Sequence, residues 1–269
     1  MLITYKNLVL FLCFNSYWLW IATQGIETLD SPAVHQLITD IPDGIPTCPE
    51  DNTVDSCIRD AFNYMIRSSI KGVPELNIPP IDPMRMNKLN VQFSNNLIRG
   101  KAAVRNVSVV GISTAEFKRV HYERKDNDVK LSIHIQLPLL QITGKYRAEV
   151  VINNARFSSK GLFNISLIDI DSKSDHYAQL YERDGHTFMS LTGLNLDPTL
   201  GDMKIYASGL VPDPALNNAL LEIVNSQWRI IYRSVVTSTR STWQPIVVNY
   251  TNNFFSHLPF DLLITNRKN

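Results

Sequence analysis

The chain has 269 residues, of which 44% are hydrophobic and 19% charged, with 26 Lys and Arg against 25 Asp and Glu. A formal net charge of +1 supplies no field to grip a polyanion, which excludes nucleic acid and electrostatic docking on anionic membranes. Such a balance describes a soluble globular protein with room for one large domain or two small ones.

Lys6 and the apolar run from Leu8 to Ile21, followed by Ala22, Thr23 and Gly25, have the order of a secretory signal peptide. A membrane span needs roughly 20 apolar residues, and Asn15 and Ser16 interrupt this shorter run; an N-terminal anchor is the alternative. The predicted organisation is a signal peptide over residues 1–24 and a single domain over 25–269. Cleavage removes Cys13 and leaves Cys48 and Cys57, an even count suited to an oxidising compartment. A bond between them closes a short loop and stabilises by roughly 2.5–3 kcal/mol on chain-entropy grounds. Two free buried thiols are the alternative, and no histidine lies close enough to complete a zinc site.

Asn106-Val-Ser, Asn164-Ile-Ser and Asn249-Tyr-Thr are glycosylation sequons. Val107 and Val109 alternate with Asn106, which places Asn106 on the polar face of a strand; Phe163, Ile165 and Leu167 do the same for Asn164. Asn249 falls on a helix beside Tyr250.

In chain order, Asp51 or Asn52 caps a predicted helix whose apolar positions are Ile58, Ala61, Phe62, Met65, Ile66 and Ile70, and Gly72 stops it. Pro74, Pro79, Pro80 and Pro83 hold the chain extended, so Leu76 to Pro83 reads as an entrance to an apolar interior. From Leu89 to about Tyr206 the period is two, cleanest over Val129–Leu137, Ile142–Val150 and Met203–Ala207. Asn95-Asn96, Asn127, Asn153-Asn154 and Asp184-Gly185 mark turns, which makes this a long antiparallel meander with one apolar face. Leu216, Leu220, Ile223, Trp228, Ile231, Val235, Trp243, Ile246, Tyr250 and Phe254 then form a helical stripe, near 60 Å long if unbroken. Pro245 is expected to kink or divide it. A strongly curved sheet wrapped around the helix is the economical way to bury such a stripe.

Reactive chemistry is missing from the sequence. It holds no G-x-S-x-G elbow, H-E-x-x-H pair, phosphate-binding glycine loop or C-x-x-C motif. The histidines are scattered, and His134 falls on the polar face of its strand. Asp169, Asp171, Asp175 and His176 have carboxylate spacing that suits calcium, but no loop glycine; ordinary turn surface at a strand end is the alternative. Asp184-Gly185-His186 reads as a hairpin turn. Trp228 and Trp243 are core or ligand lining. An apolar interior without a catalytic, metal or cofactor site points to a carrier rather than an enzyme.

With these features in this order, the chain resembles the insect juvenile hormone-binding and Takeout family. The likeness covers the whole mature sequence. It is carried by the cysteine pair before a helix, Pro79-Pro80-Ile81-Asp82-Pro83, Gly144-Lys-Tyr146, and the C-terminal region through Trp228 and Trp243 to Leu258-Pro259-Phe260. Dedicated hormone carriers of the family have a second disulfide; no cysteine follows Cys57 here, so the likeness is to the Takeout-like branch. Ala207-Ser208-Gly209-Leu210 also departs from the asparagine-leucine-phenylalanine-glycine element that usually precedes the C-terminal helix.

The resemblance implies an α+β fold, a tubular lipid-binding super-roll in which a curved antiparallel sheet wraps a long C-terminal helix around an elongated apolar cavity. It implies reversible carriage of a small hydrophobic ligand, a terpenoid such as juvenile hormone or a long-chain lipid, in haemolymph or similar extracellular fluid. The carrier is expected to be a monomer without cofactor or stable membrane insertion. Expected ligand contacts are Phe62, Met65 and Ile66 on the first helix, Leu131, Ile133 and Ile135 on the meander, and Trp228 and Ile231 on the long helix. Tyr146 is a candidate polar handle. The largest apolar pocket is expected to touch Trp228 together with Phe62, Met65 or Ile66. The alternative function is an extracellular signalling or interaction protein, in a circadian, feeding or chemosensory context, whose cavity holds structural lipid. A lipid-ester hydrolase is the third reading, and the missing nucleophile motif speaks against it.

Overall fold

The structure is a computed structural model that describes residues 46–73, 80–94, 98–152, 155–256 and 258–265. Its elements are β1 (Cys48–Pro49), α1 (Val54–Ser68), β2 (Met84–Ser94), β3 (Ile98–Val110), β4 (Glu116–Lys125), β5 (Asp128–Ile152), β6 (Ala155–Arg183) and β7 (His186–Ala207). After these come α2 (Pro214–Ser226), α3 (Trp228–Phe255), α4 (Phe260–Leu263) and β8 (Ile264–Thr265). β2 to β7 form one six-stranded antiparallel sheet in the order β2-β3-β5-β6-β7, with β4 also paired to β5. β1 and β8 make a separate parallel ribbon that joins the two ends of the described chain.

The expected stop of α1 is at Gly72, where φ is +86° after a 3-10 turn over Ser69–Lys71. Thr53 is the N-cap, and Asp51 shapes the approach by accepting from the Thr53 amide and hydroxyl. Ile58 and Ile66 are buried, but Ile70 lies exposed in the 3-10 turn because the helical period ends before it. Cys48 and Cys57 are bonded with Cα atoms 5.6 Å apart, which ties α1 to the β1–β8 ribbon.

The Pro80-Ile81-Asp82-Pro83 segment is a clamp. Ile81 is buried in the core, and the Asp82–Pro83 peptide is cis. The Asp82 carboxylate accepts from the amides of Gly111 and Ser113 and from the Ser113 hydroxyl, holding the turn between β3 and β4. Gly111 is required there: its φ is +110°, and a Cβ would lie 2.2 Å from the Leu139 carbonyl oxygen. The first part of the expected entrance, Leu76 to Pro79, lies outside the described residues, as do Asn95-Asn96 and Asn153-Asn154.

The meander is one sheet with a crease across it. Inward residues of β5 run Val129, Leu131, Ile133, Ile135, Leu137 and then switch parity to Leu140 and Ile142. β6 switches between Leu167 and Ile170, and β7 between Leu200 and Met203, at the same level of the sheet. Pro138, Asp169 (φ +50°) and Gly201 sit at the switch, and a Cβ on Gly201 would meet the Asp169 Cβ at 2.8 Å. Asp169 to His176 therefore lie within a 29-residue strand, not at a strand end; the broken alternation at the crease imitates an end. The Asp184-Gly185 turn between β6 and β7 has positive φ at both residues, the signature of a type I′ hairpin.

The C-terminal helices close along β7, and asparagines make the join. Asn225 accepts from the Ile205 amide at 2.8 Å and donates to the Ile205 carbonyl at 2.9 Å. Asn252 does the same for Leu191, and Asn217 bonds the Leu210 amide and the Ala207 carbonyl. Tyr232, Arg240 and Gln244 donate to the carbonyls of Pro198, Leu196 and Leu194. On the other margin, Asn63 of α1 pairs with both backbone groups of Phe117 on β4. Each carboxamide imitates a neighbouring strand, so these stretches of β7 and β4 are satisfied without a closed barrel.

This join changes the expected stripe. Asn217, Leu221 and Val224 are buried on α2, whereas Leu216 and Ile223 point outward, because the helix is turned to bring its amides to β7. The division falls at Gln227, between α2 and α3, while Pro245 lies inside α3.

Candidate ligand-binding interior

Inward side chains gather into two apolar clusters along the sheet. One surrounds Val104, Ile142, Tyr146, Phe163, Met203 and Trp228; the other surrounds Val129, Ile133, Ala178, Leu180, Leu191 and Phe260. Ile135 and Phe117 pack against both, so the clusters are continuous.

The expected ligand contacts divide between them. Ile66, Tyr146 and Trp228 are buried in the first cluster, with Met65 packed against it. Trp228 meets Tyr232 edge-on at 6.4 Å between ring centroids. Ile133 belongs to the second cluster, with Phe62 and Leu131 packed against it and Phe62 resting on Phe117 at 4.8 Å. The side chains of Ile231 and Trp243 lie outside the described residues, with those of Val235, Ile246, Tyr250 and Phe254. Tyr146 donates its hydroxyl to the Ser208 carbonyl at 2.7 Å, which engages the expected polar handle with the loop after β7. Ile66, Tyr146 and Trp228 are thus close-packed core. Phe62, Met65, Leu131 and Ile135 keep accessible surface although they face inward. For Ile135, on an internal strand, that surface lies on the inward face of the sheet.

Between the clusters the inner face of β6 turns polar. Ser172, Ser174 and His176 alternate inward between Ile170 and Ala178. Their register partners are Ile135, Ile133 and Leu131 on β5 and Pro198, Leu196 and Leu194 on β7, apolar on both sides. Ser174 Oγ lies 3.0 Å from His176 Nε2. Burial pushes the imidazole down to about 4, opposed by the Asp175 carboxylate, so the ring is neutral at pH 7. His176 nonetheless retains accessible surface. This polar rung was missed in the sequence reading because period-two patterns are scored by their apolar members.

The acidic residues of the same strand face the other way. Asp171 accepts from Gln136 and from His134, and these bonds hold its carboxyl below the usual range; Asp175 accepts from Ser132. Asp169 occupies the crease. Among the described residues no group of His, Cys, Asp or Glu is placed to hold a metal ion. Asn106 sits on a bulge of β3 with φ +50°, and its side chain, like those of Asn164 and Asn249, is exposed.

A cleft of about 610 Å³ opens at the far end of the first cluster, between Arg147, Lys160, Tyr206, Ser208, Pro214 and Asn217. It has mixed polarity and touches none of Trp228, Phe62, Met65 or Ile66, so it is not the apolar pocket expected beside them.

Comparison with known proteins agrees with this architecture. The chain has 13% identity and a TM-score of 0.64 to the crystal structure of Epiphyas postvittana Takeout 1, over 81% of this chain and 99% of that one. A likeness to the crystal structure of lipopolysaccharide binding protein, at 15% identity and a TM-score of 0.27 over 61% of this chain and 35% of that one, carries no argument. A search of curated protein sequences finds no match. The fold is Takeout-like, a mostly antiparallel sheet with helices and no closed barrel. The model of the family described as haemolymph juvenile hormone binding protein matches residues 28–265, nearly the whole chain, and the chain belongs to that family.

Proposed function

We propose that the protein is a secreted carrier that takes one elongated hydrophobic molecule, a terpenoid or other long-chain lipid, out of water into the space between sheet and helices. The observation that carries this reading is the inward face of β5, where Leu131 and Ile135 retain accessible surface on an internal strand. Removing apolar surface from water at about 25 cal/mol per Å² drives such binding with few polar contacts. Family membership and the Takeout-like fold support it. Residues 1–24 act as the signal peptide, residues 25–269 form one domain, and the carrier works as a monomer without catalysis. Exposed Asn106 and Asn164 carry glycans, which glycosidase treatment of the secreted protein detects as a loss of mass. Titration with an apolar fluorescent reporter tests the carrier reading: saturable uptake at one site per chain is expected, and its absence refutes the reading.

A second reading has an observation of its own. Leu162 and Tyr206 are more than half exposed, and both stand on the outer face beside Asn164, the register partner of Tyr206. A surface of this kind suits an extracellular signalling or interaction protein. A glycan on Asn164 would stand in the middle of it, which favours the carrier.

A further inference from the structure

The polar rung on β6 is unlike the rest of the interior. Ser172 is 6% exposed, and its hydroxyl has no hydrogen-bond partner among the described residues. The Ser172 oxygen itself keeps accessible surface, so it is open to a partner that enters the interior. His176 engages one ring nitrogen with Ser174, and the other has no partner among the described residues. Either tautomer leaves a donor over. If Ser174 donates to Nε2, the Nδ1 proton is free; if Nε2 donates to Ser174, the serine proton is free. With Ser172, the rung therefore presents at least two donors toward the interior. It extends over about 13 Å of strand at roughly 3.3 Å per residue, with an apolar cluster beyond each end.

We propose that Ser172, Ser174 and His176 orient the ligand by donating to an uncharged carbonyl or ester oxygen set within an elongated apolar molecule, whose arms run into the two clusters; this rests on the carrier reading. A neutral imidazole offers no counter-charge to a carboxylate, and burying a carboxylate without one is costly. Arg240, the cation placed along this part of β7, donates Nη2 to the Leu196 carbonyl, while its buried Nε has no partner. It is the group that a carboxylate ligand would seek instead.

The test uses the mature secreted protein and displacement of an apolar fluorescent reporter by three probes of matched length. These are decyl decanoate with its ester in mid-chain, the corresponding alkane, and the corresponding fatty acid. The ester is expected to bind about tenfold tighter than the alkane, the worth of about one net hydrogen bond. Ser172→Ala with Ser174→Ala should abolish that preference and leave alkane affinity unchanged. Ser172→Ala alone should reduce the preference without lowering thermal stability, since it deletes an unpaired hydroxyl; it also serves if the double variant misfolds. Equal binding of ester and alkane, a preference that survives the substitutions, or tightest binding of the fatty acid would each overturn the proposal. If none of the three probes displaces the reporter or the reporter itself does not bind, the carrier reading fails and takes the proposal with it.

Discussion

Asn225 offers the most direct perturbation of how the fold closes. Its carboxamide holds both backbone groups of Ile205 at 2.8 and 2.9 Å, at the margin of the sheet covered by α2. Asn225→Leu keeps the branched shape of the side chain and removes both bonds. Each bond contributes about 0.5–1.5 kcal/mol net, and each backbone group left dry and unpaired costs about 1–3 kcal/mol. A loss of roughly 2–4 kcal/mol follows, a large part of the 5–15 kcal/mol typical of a domain. For a chain of this size that lowers the melting temperature by roughly 5–15 °C. Asn218→Ala, about two turns earlier on the same helix and exposed, is the control, and it should change stability by no more than about 0.5 kcal/mol. Urea unfolding followed by circular dichroism measures both, with the slope m expected to be unchanged. If Asn225→Leu is as stable as the control, water satisfies the Ile205 groups and asparagine capping of the sheet edge is wrong.

Replacing Cys48 and Cys57 by serine should cost about 2.5 kcal/mol for the loop they close, with hydrogen exchange rising first in α1 and the β1–β8 ribbon; uniform loosening of the sheet would contradict this. Gly201→Ala should cost about 1–3 kcal/mol by overpacking the crease, and Asp169→Gly, which removes the opposing Cβ, should restore most of it in the double variant; simple additivity would show that the two do not meet. Below pH 6.5 the unfolded chain protonates a histidine that the fold keeps neutral down to about 4, so His176 makes stability fall as pH drops through that window. The loss reaches up to about 3 kcal/mol, and His176→Gln should flatten that part of a melting-temperature profile; parallel profiles would refute it. His121, raised by its bonds to Asp55 and Glu123, acts in the opposite sense, but at an exposed site where water weakens the effect.

The meander was legible because an inward face with period two leaves its record in Val129–Leu137 and Ile142–Val150, and even the crease is there as a change of parity between those runs. What lies on either side of Pro138 was harder to see, since a bulge shared by three strands looks like a strand end when each strand is read alone. The cysteine pair, the Gly72 stop and the exposed faces of Asn106 and Asn164 are local features, and sequence carries local features well. The inward asparagines were illegible for the opposite reason. Asn63, Asn217, Asn225 and Asn252 are polar, and a helical stripe scored by apolar residues puts them outside, yet their partners are backbone groups distant in sequence. Asp82 reads as part of a proline-rich strap until Gly111 and Ser113 supply the amides that it holds. Ser172 and His176 suffered the same fate, because a polar rung matters only once both its flanks are known to be apolar.

Native mass spectrometry of the protein secreted by its own cells tests the carrier account most directly. The account predicts a mass above that of the cleaved, glycosylated chain by one small apolar molecule, lost on organic extraction and regained when the extract is returned. A chain that carries no such mass and takes up none from the extract would contradict it.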